Sequence, residues 1–97
     1  MPCVMTPKQV LEAVAKYRAD LCVKGFTPAR FSPASKLPTE MGAMRHVMWM
    51  LREIPLQVGE GKLDKAERWL CFVQGVLWSH GYGSIDSFRE DNTNKSG

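Results

Sequence analysis

The run LDKAERWLCFVQGVLWSHGY at residues 63–82 constrains the fold of this chain more than any other segment. Leu63, Ala66, Leu70, Val73 and Leu77 recur at spacings of three and four, which places them on one face of an α-helix, and Trp69, Phe72 and Val76 widen that face. So broad an apolar surface needs cover on two sides, and the rest of the chain is expected to supply it. Gly75, inside the run, costs about 1 kcal/mol relative to alanine and is expected to mark a close approach of another backbone. Gly81 stops the helix. Nothing in the run is arranged for chemistry, so it speaks to packing rather than activity.

Two more helices are legible upstream. Thr6, Pro7 and Gln9 form an N-cap, a first-turn proline and a capping-box glutamine. From there Val10, Val14, Tyr17 and Leu21 make one stripe, widened by Leu11, Ala13 and Ala15, to about Lys24 and a C-terminal Gly25. Residues 26–38, FTPARFSPASKLP, hold three prolines and no sustained period. They read as an ordered, proline-rich loop, because the rings of Phe26 and Phe31 gain about 1.5–3 kcal/mol each on full burial and draw the loop across the helices. Thr39 caps a second helix with Glu40 in its first turn, running through Met41, Met44, Val47, Met48, Leu51 and Ile54. Pro55 is expected to end or kink it. Gly59 and Gly61 mark the turn into the third helix.

Ser84 then caps a short fourth helix over about residues 85–90, anchored by Ile85 and Phe88, and residues 92–97 read as a flexible polar tail. A length of 97 residues allows one domain with one modest core, and six methionines give that core adaptable filling. The expectation is all-α: a compact three-helix core plus a short C-terminal helix, one domain over 1–97 with an ordered core of about 6–91.

The formal charge of +3 is unevenly spread. Residues 1–45 carry seven Lys or Arg against three acids, and residues 46–97 carry six against seven. Cys3, Cys22 and Cys71 are odd in number with no CxxC pair, which points away from a disulfide framework or thiol zinc site and toward a reduced, cytoplasmic protein. No apolar run reaches the roughly 18 residues of a membrane span, and the N-terminus lacks the pattern of a signal peptide.

Catalytic candidates are few. His80 lies in a helix-terminating turn, and His46 lies among methionines with no spacing relation that would build a metal centre. Cys71 sits between Leu70 and Phe72, where burial would blunt a thiolate, and Asp86, Glu90 and Asp91 read as first-turn and surface charges. There is no dinucleotide fingerprint, phosphate-binding loop or nucleophile elbow. The chain is expected to be no enzyme, with no catalytic residue, cofactor or metal.

Binding has the better claim. Trp49 and Trp78 fall off the main stripes of their helices, and with Phe26 and Phe31 they are the candidate anchors for a protein partner, the alternative being that a small bundle buries both indoles. A homo-oligomer through the third helix satisfies the same pattern. The competing reading is a nucleic-acid-binding regulator using Lys8, Lys16, Arg18, Lys24, Arg30 and Arg45 as a basic surface. Against it, lysines spaced by eight drift around a helix, and the acids of the fourth helix would repel phosphate.

Residues 53–55 (EIP), residues 65–78 (KAERWLCFVQGVLW) and residues 84–92 (SIDSFREDN), with TPKQVLEAVAKYRADL and GFTPARF upstream, resemble a group of small proteins encoded by tailed bacteriophages and prophages. The likeness covers most of residues 6–92 and implies a phage origin. It implies no activity, and no catalytic or binding residue carries over from it. Cys71 departs from the group's pattern, which has glycine there. Small accessory phage proteins commonly act by binding a host or phage protein, and that association favours an interaction module.

Overall fold

The computed structural model describes residues 5–30 and 39–93, and within them every regular element is an α-helix: α1 (Pro7–Val23), α2 (Glu40–Gly59), α3 (Leu63–Ser79) and α4 (Ile85–Asn92). The local signals act where they were read. The Thr6 hydroxyl accepts the Gln9 N–H at 3.1 Å while the Gln9 side chain accepts the Thr6 N–H at 2.9 Å, so two amides that helix geometry leaves unpaired are satisfied reciprocally. Thr39 caps α2 through the Gly42 N–H at 3.0 Å. Gly25 and Gly81 take φ of 88° and 81° just past their helices, where a side chain would be strained.

Pro55 does not end α2, which runs on to Gly59. A proline in a helix interior costs about 3 kcal/mol through the lost hydrogen bond and its ring. Leu51 and Ile54, immediately before it, are fully buried, and Gln57 beyond it is buried as well. At about 1.5–3 kcal/mol for each large apolar side chain, keeping that face in register offsets the local cost.

α2 packs against both α1 and α3, which also touch each other, and α4 rests on α1. The side chains most completely removed from water are Val10, Val14 and Leu21 of α1, Met44, Val47, Leu51 and Ile54 of α2, and Leu70 and Val73 of α3. Some flanking positions differ from the periodic reading. Leu11 and Met41 are exposed, as is Ala15, whereas Met5, Ala43, Met50 and the polar Gln57 and Gln74 are buried. Gly75 is exposed, and a Cβ built there meets nothing within 4 Å, so no backbone of this chain approaches it.

α4 is longer than its pattern, ending at Asn92, which is thereby part of the fold and not of a tail. Ser84 and Ser87 cap it reciprocally. Its buried Phe88 meets Tyr17 edge to face, with centroids 5.8 Å apart, and lies so close to the preceding turn that a Cβ on Gly83 would be 2.5 Å from the ring. Gly83→Ala is therefore expected to destabilise the protein by about 1–3 kcal/mol through overpacking. Gly75→Ala, in open space on a helix, is expected to stabilise it by up to about 1 kcal/mol. Urea unfolding of the two variants reads these opposite signs directly.

Candidate docking surface on the second and third helices

The turn at residues 59–62 folds α2 and α3 into a hairpin, closed by the Lys62 N–H donating to the Gln57 carbonyl at 2.9 Å. Along one side of this hairpin, Trp49 of α2 meets Trp69 of α3 with centroids 5.6 Å apart and rings tilted by 40°. The His46 ring lies against Trp49 at 5.4 Å and 32°. The Arg30 guanidinium sits 5.3 Å from the Trp49 centroid, and the Lys65 ammonium 5.5 Å from that of Trp69.

Each cation has a structural reason to be there. Lys65 precedes Trp69 by one helical turn and so shares its face. Arg30 is delivered by the backbone: the Ala29 N–H donates to the Arg45 carbonyl at 3.1 Å, and the Arg45 Nε donates to the Thr27 carbonyl at 3.3 Å. Partial burial, and secondarily the Arg30 charge, lower the pKa of His46 below its ordinary value of 6.5, favouring a neutral imidazole against the Trp49 indole.

Both indoles of the pair are half-buried. The patch continues onto Phe72, one turn beyond Trp69 and 58% exposed. On the outward face of α3, Gly75 then separates Phe72 from Trp78, which is 52% exposed. Of the anchors named from sequence, Trp49 belongs to the stacked pair and Trp78 stands in solvent. Phe26 is half-buried against Tyr82, with centroids 6.4 Å apart, at the other end of α2 from the turn, and Phe31 lies outside the described residues. Trp69 and Phe72 were read from the sequence only as the edge of a packing face. Their clue was the same as for Trp49 and Trp78, large rings displaced from the helix's main stripe.

The six basic residues named as a surface do not gather into one face. Lys8 pairs with Glu12 at 3.9 Å and Lys16 with Asp91 at 3.0 Å. Lys24 lies over Tyr82, Arg30 over Trp49, and Arg45 is held by Thr27, leaving Arg18 exposed on α1. Their charges are spread over separate sides and largely engaged by neighbours.

A buried polar cluster serves to hold α4. The Tyr17 hydroxyl donates to Asp91 Oδ2 at 2.6 Å and accepts from Gln74 Nε2 at 2.9 Å, while Gln74 and Asn92 exchange two amide hydrogen bonds at 2.8 Å. Burial first, then the Asp91 carboxylate, hold the Tyr17 hydroxyl protonated well above the ordinary tyrosine range, which makes it a fixed donor. Asp91 is thus a partner of the core and not the surface charge its position implied, with a side chain only 17% exposed. The cavity beside it, about 50 Å³ between Lys16, Asp20, Tyr82 and Phe88, has room for a few water molecules.

His80 is the C-cap residue of α3. Cys71 is half-buried rather than a core residue, Cys22 is exposed, and Cys3 lies outside the described residues. Among the described residues no three His, Cys, Asp or Glu side chains gather as a metal site would require, and no helix is long and apolar enough to cross a membrane. In comparisons with known proteins, no family, no curated protein and no solved structure matches this chain.

Proposed function

We propose that the chain is a non-enzymatic protein-docking module, an accessory protein of a tailed bacteriophage acting in the bacterial cytoplasm, which engages its partner through the aromatic surface of α2 and α3. The observation that carries this reading is the exposure of two large rings on α3: Phe72, 58% exposed and one turn beyond Trp69 of the Trp49–Trp69 pair, and Trp78, 52% exposed and further along the helix. Leu70, Val73 and Leu77 already fill the inward face of the same helix, so the core is complete without the two exposed rings. Large aromatic side chains left in water are the usual anchors of protein interfaces, where a few of them supply most of the binding energy.

The phage setting rests on the sequence resemblance alone. The docking function is tested with Phe72→Ala and Trp78→Ala in tagged protein incubated with nuclease-treated bacterial lysate, the retained proteins being identified by mass spectrometry. An anchor role predicts that a stoichiometric partner seen with the parent protein is lost or weakened about 30-fold in one or both variants, which corresponds to the ~2 kcal/mol of a hot spot. Melting temperatures are expected to stay near that of the parent, because exposed side chains contribute little to folding. Undiminished retention by both variants refutes the assignment.

A further inference from the structure

We propose that the Trp49–Trp69 surface receives an acidic peptide segment, with its carboxylates paired to Arg30 and Lys65 and its apolar side chains laid against the indole edges and Phe72. The inference rests on the docking function proposed above and names the chemistry of the partner.

Charge is the first argument. Ion pairs join Lys8 to Glu12, Lys16 to Asp91 and Lys62 to Glu60, and among the described residues none joins Arg30 or Lys65 to a carboxylate. Both are held on ring faces instead, at 5.3 and 5.5 Å. A guanidinium held over a ring by its charge still has N–H donors that no carboxylate occupies, and a guanidinium can match a carboxylate bidentately. The surrounding helical positions add to the same sign: Arg52 lies one turn from Trp49 and Arg68 one turn from Phe72, both exposed. The acids nearest along these helices are Glu53, Asp64 and Glu67, the last accepting the Met5 N–H at 2.9 Å, against the four exposed cations Arg30, Arg52, Lys65 and Arg68.

Ring geometry is the second argument, and it separates a peptide from a nucleic acid. A single strand bound without sequence preference stacks its bases on bare aromatic faces. Trp49 is already covered by His46, Trp69 and Arg30, and Trp69 by Trp49 and Lys65. The tryptophan pair therefore offers indole edges rimmed by positive charge, with Phe72 the open ring beside it, an arrangement that suits apolar side chains alternating with carboxylates.

The test is a fluorescence-anisotropy titration of the full chain against three labelled probes. They are a short synthetic peptide alternating pairs of Glu with single Phe, its isostere with Gln in place of every Glu, and oligothymidylate. The expected result is binding of the Glu peptide that weakens as salt rises, is roughly 10-fold tighter than that of the Gln isostere, and falls by a similar factor in the double variant Arg30→Gln/Lys65→Gln. Both substituted side chains are exposed, so the variant should fold as the parent does. If the isostere binds as tightly as the Glu peptide and both are lost in Phe72→Ala, the docking surface stands and the acidic partner is overturned. Absence of binding by the Glu peptide, or unchanged binding in the double variant, overturns the acidic partner. Tighter binding of oligothymidylate than of either peptide overturns the docking function as well.

Discussion

Leu51→Ala is expected to lower the free energy of unfolding by about 2–5 kcal/mol, the cost of removing a large side chain from a packed core and leaving a cavity. Leu51 has no exposed surface, and it lies midway along the helix that touches both α1 and α3. Neighbours from several directions cannot all collapse into the space it vacates. A domain of this size is stable by only about 5–15 kcal/mol, so the variant loses a large share of its stability. Its melting temperature should fall by roughly 4–8 °C for each kcal/mol lost. The control is Leu56→Ala, on the same helix but 60% exposed, for which a change within about 0.5 kcal/mol is expected. Urea unfolding followed by circular dichroism measures both. A cost below about 1 kcal/mol at Leu51 would contradict its place at the centre of the core.

Tyr17 carries the second large effect, and two substitutions divide it. Tyr17→Ala removes a buried ring that packs edge to face on Phe88, and by analogy with buried phenylalanines it is expected to cost about 3–5 kcal/mol. Tyr17→Phe keeps the ring but takes the hydroxyl from Asp91 and Gln74, for an expected cost of about 1–3 kcal/mol. The lost contacts join α1 and α3 to the end of α4. Hydrogen exchange should accordingly show amides 88–92 losing protection in Tyr17→Phe before the rest of the protein does.

A pH dependence follows with a definite sign. Because folding raises the Tyr17 pKa, the folded state holds the proton more tightly than the unfolded chain. The resulting stability is fully present below the ordinary tyrosine value of 10 and is lost as pH rises above it. Tyr82, raised by burial and by its hydrogen bond to Glu40, acts in the same window. The difference between parent and Tyr17→Phe isolates the Tyr17 share. Equal alkaline destabilisation of the two proteins would show that the hydroxyl is not held as described.

The candidate surface was partly legible in advance. Displacement from the helical stripe marked Trp49 and Trp78, but nothing near Trp49 in the chain identifies Trp69, twenty positions on, as its stacking partner or Arg30 as its cap. The basic residues of the first half looked like one surface only because they are close in sequence. In space each turns to a different neighbour: Lys16 to Asp91, Lys24 to Tyr82, Arg45 to Thr27. Gln74 resembles an ordinary polar helix position, and its burial became visible only with partners 57 and 18 residues away.

By itself the sequence determined where helices begin and stop and which faces turn inward. Thr6 with Gln9, Thr39, Ser84, Gly25 and Gly81 act within one turn of their own positions, and the stripe of Val10, Val14, Tyr17 and Leu21 needs only the helical period. The tertiary structure decided the rest. It carried α2 through Pro55 because burial on both sides outweighs a local penalty, drew Asp91 and Asn92 into the fold through Tyr17 and Gln74, and left Phe72, Gly75 and Trp78 facing outward. Caps and periods are local interactions that a short window of residues contains. Which side chains are covered depends on pairings between distant helices, whose energies no such window holds.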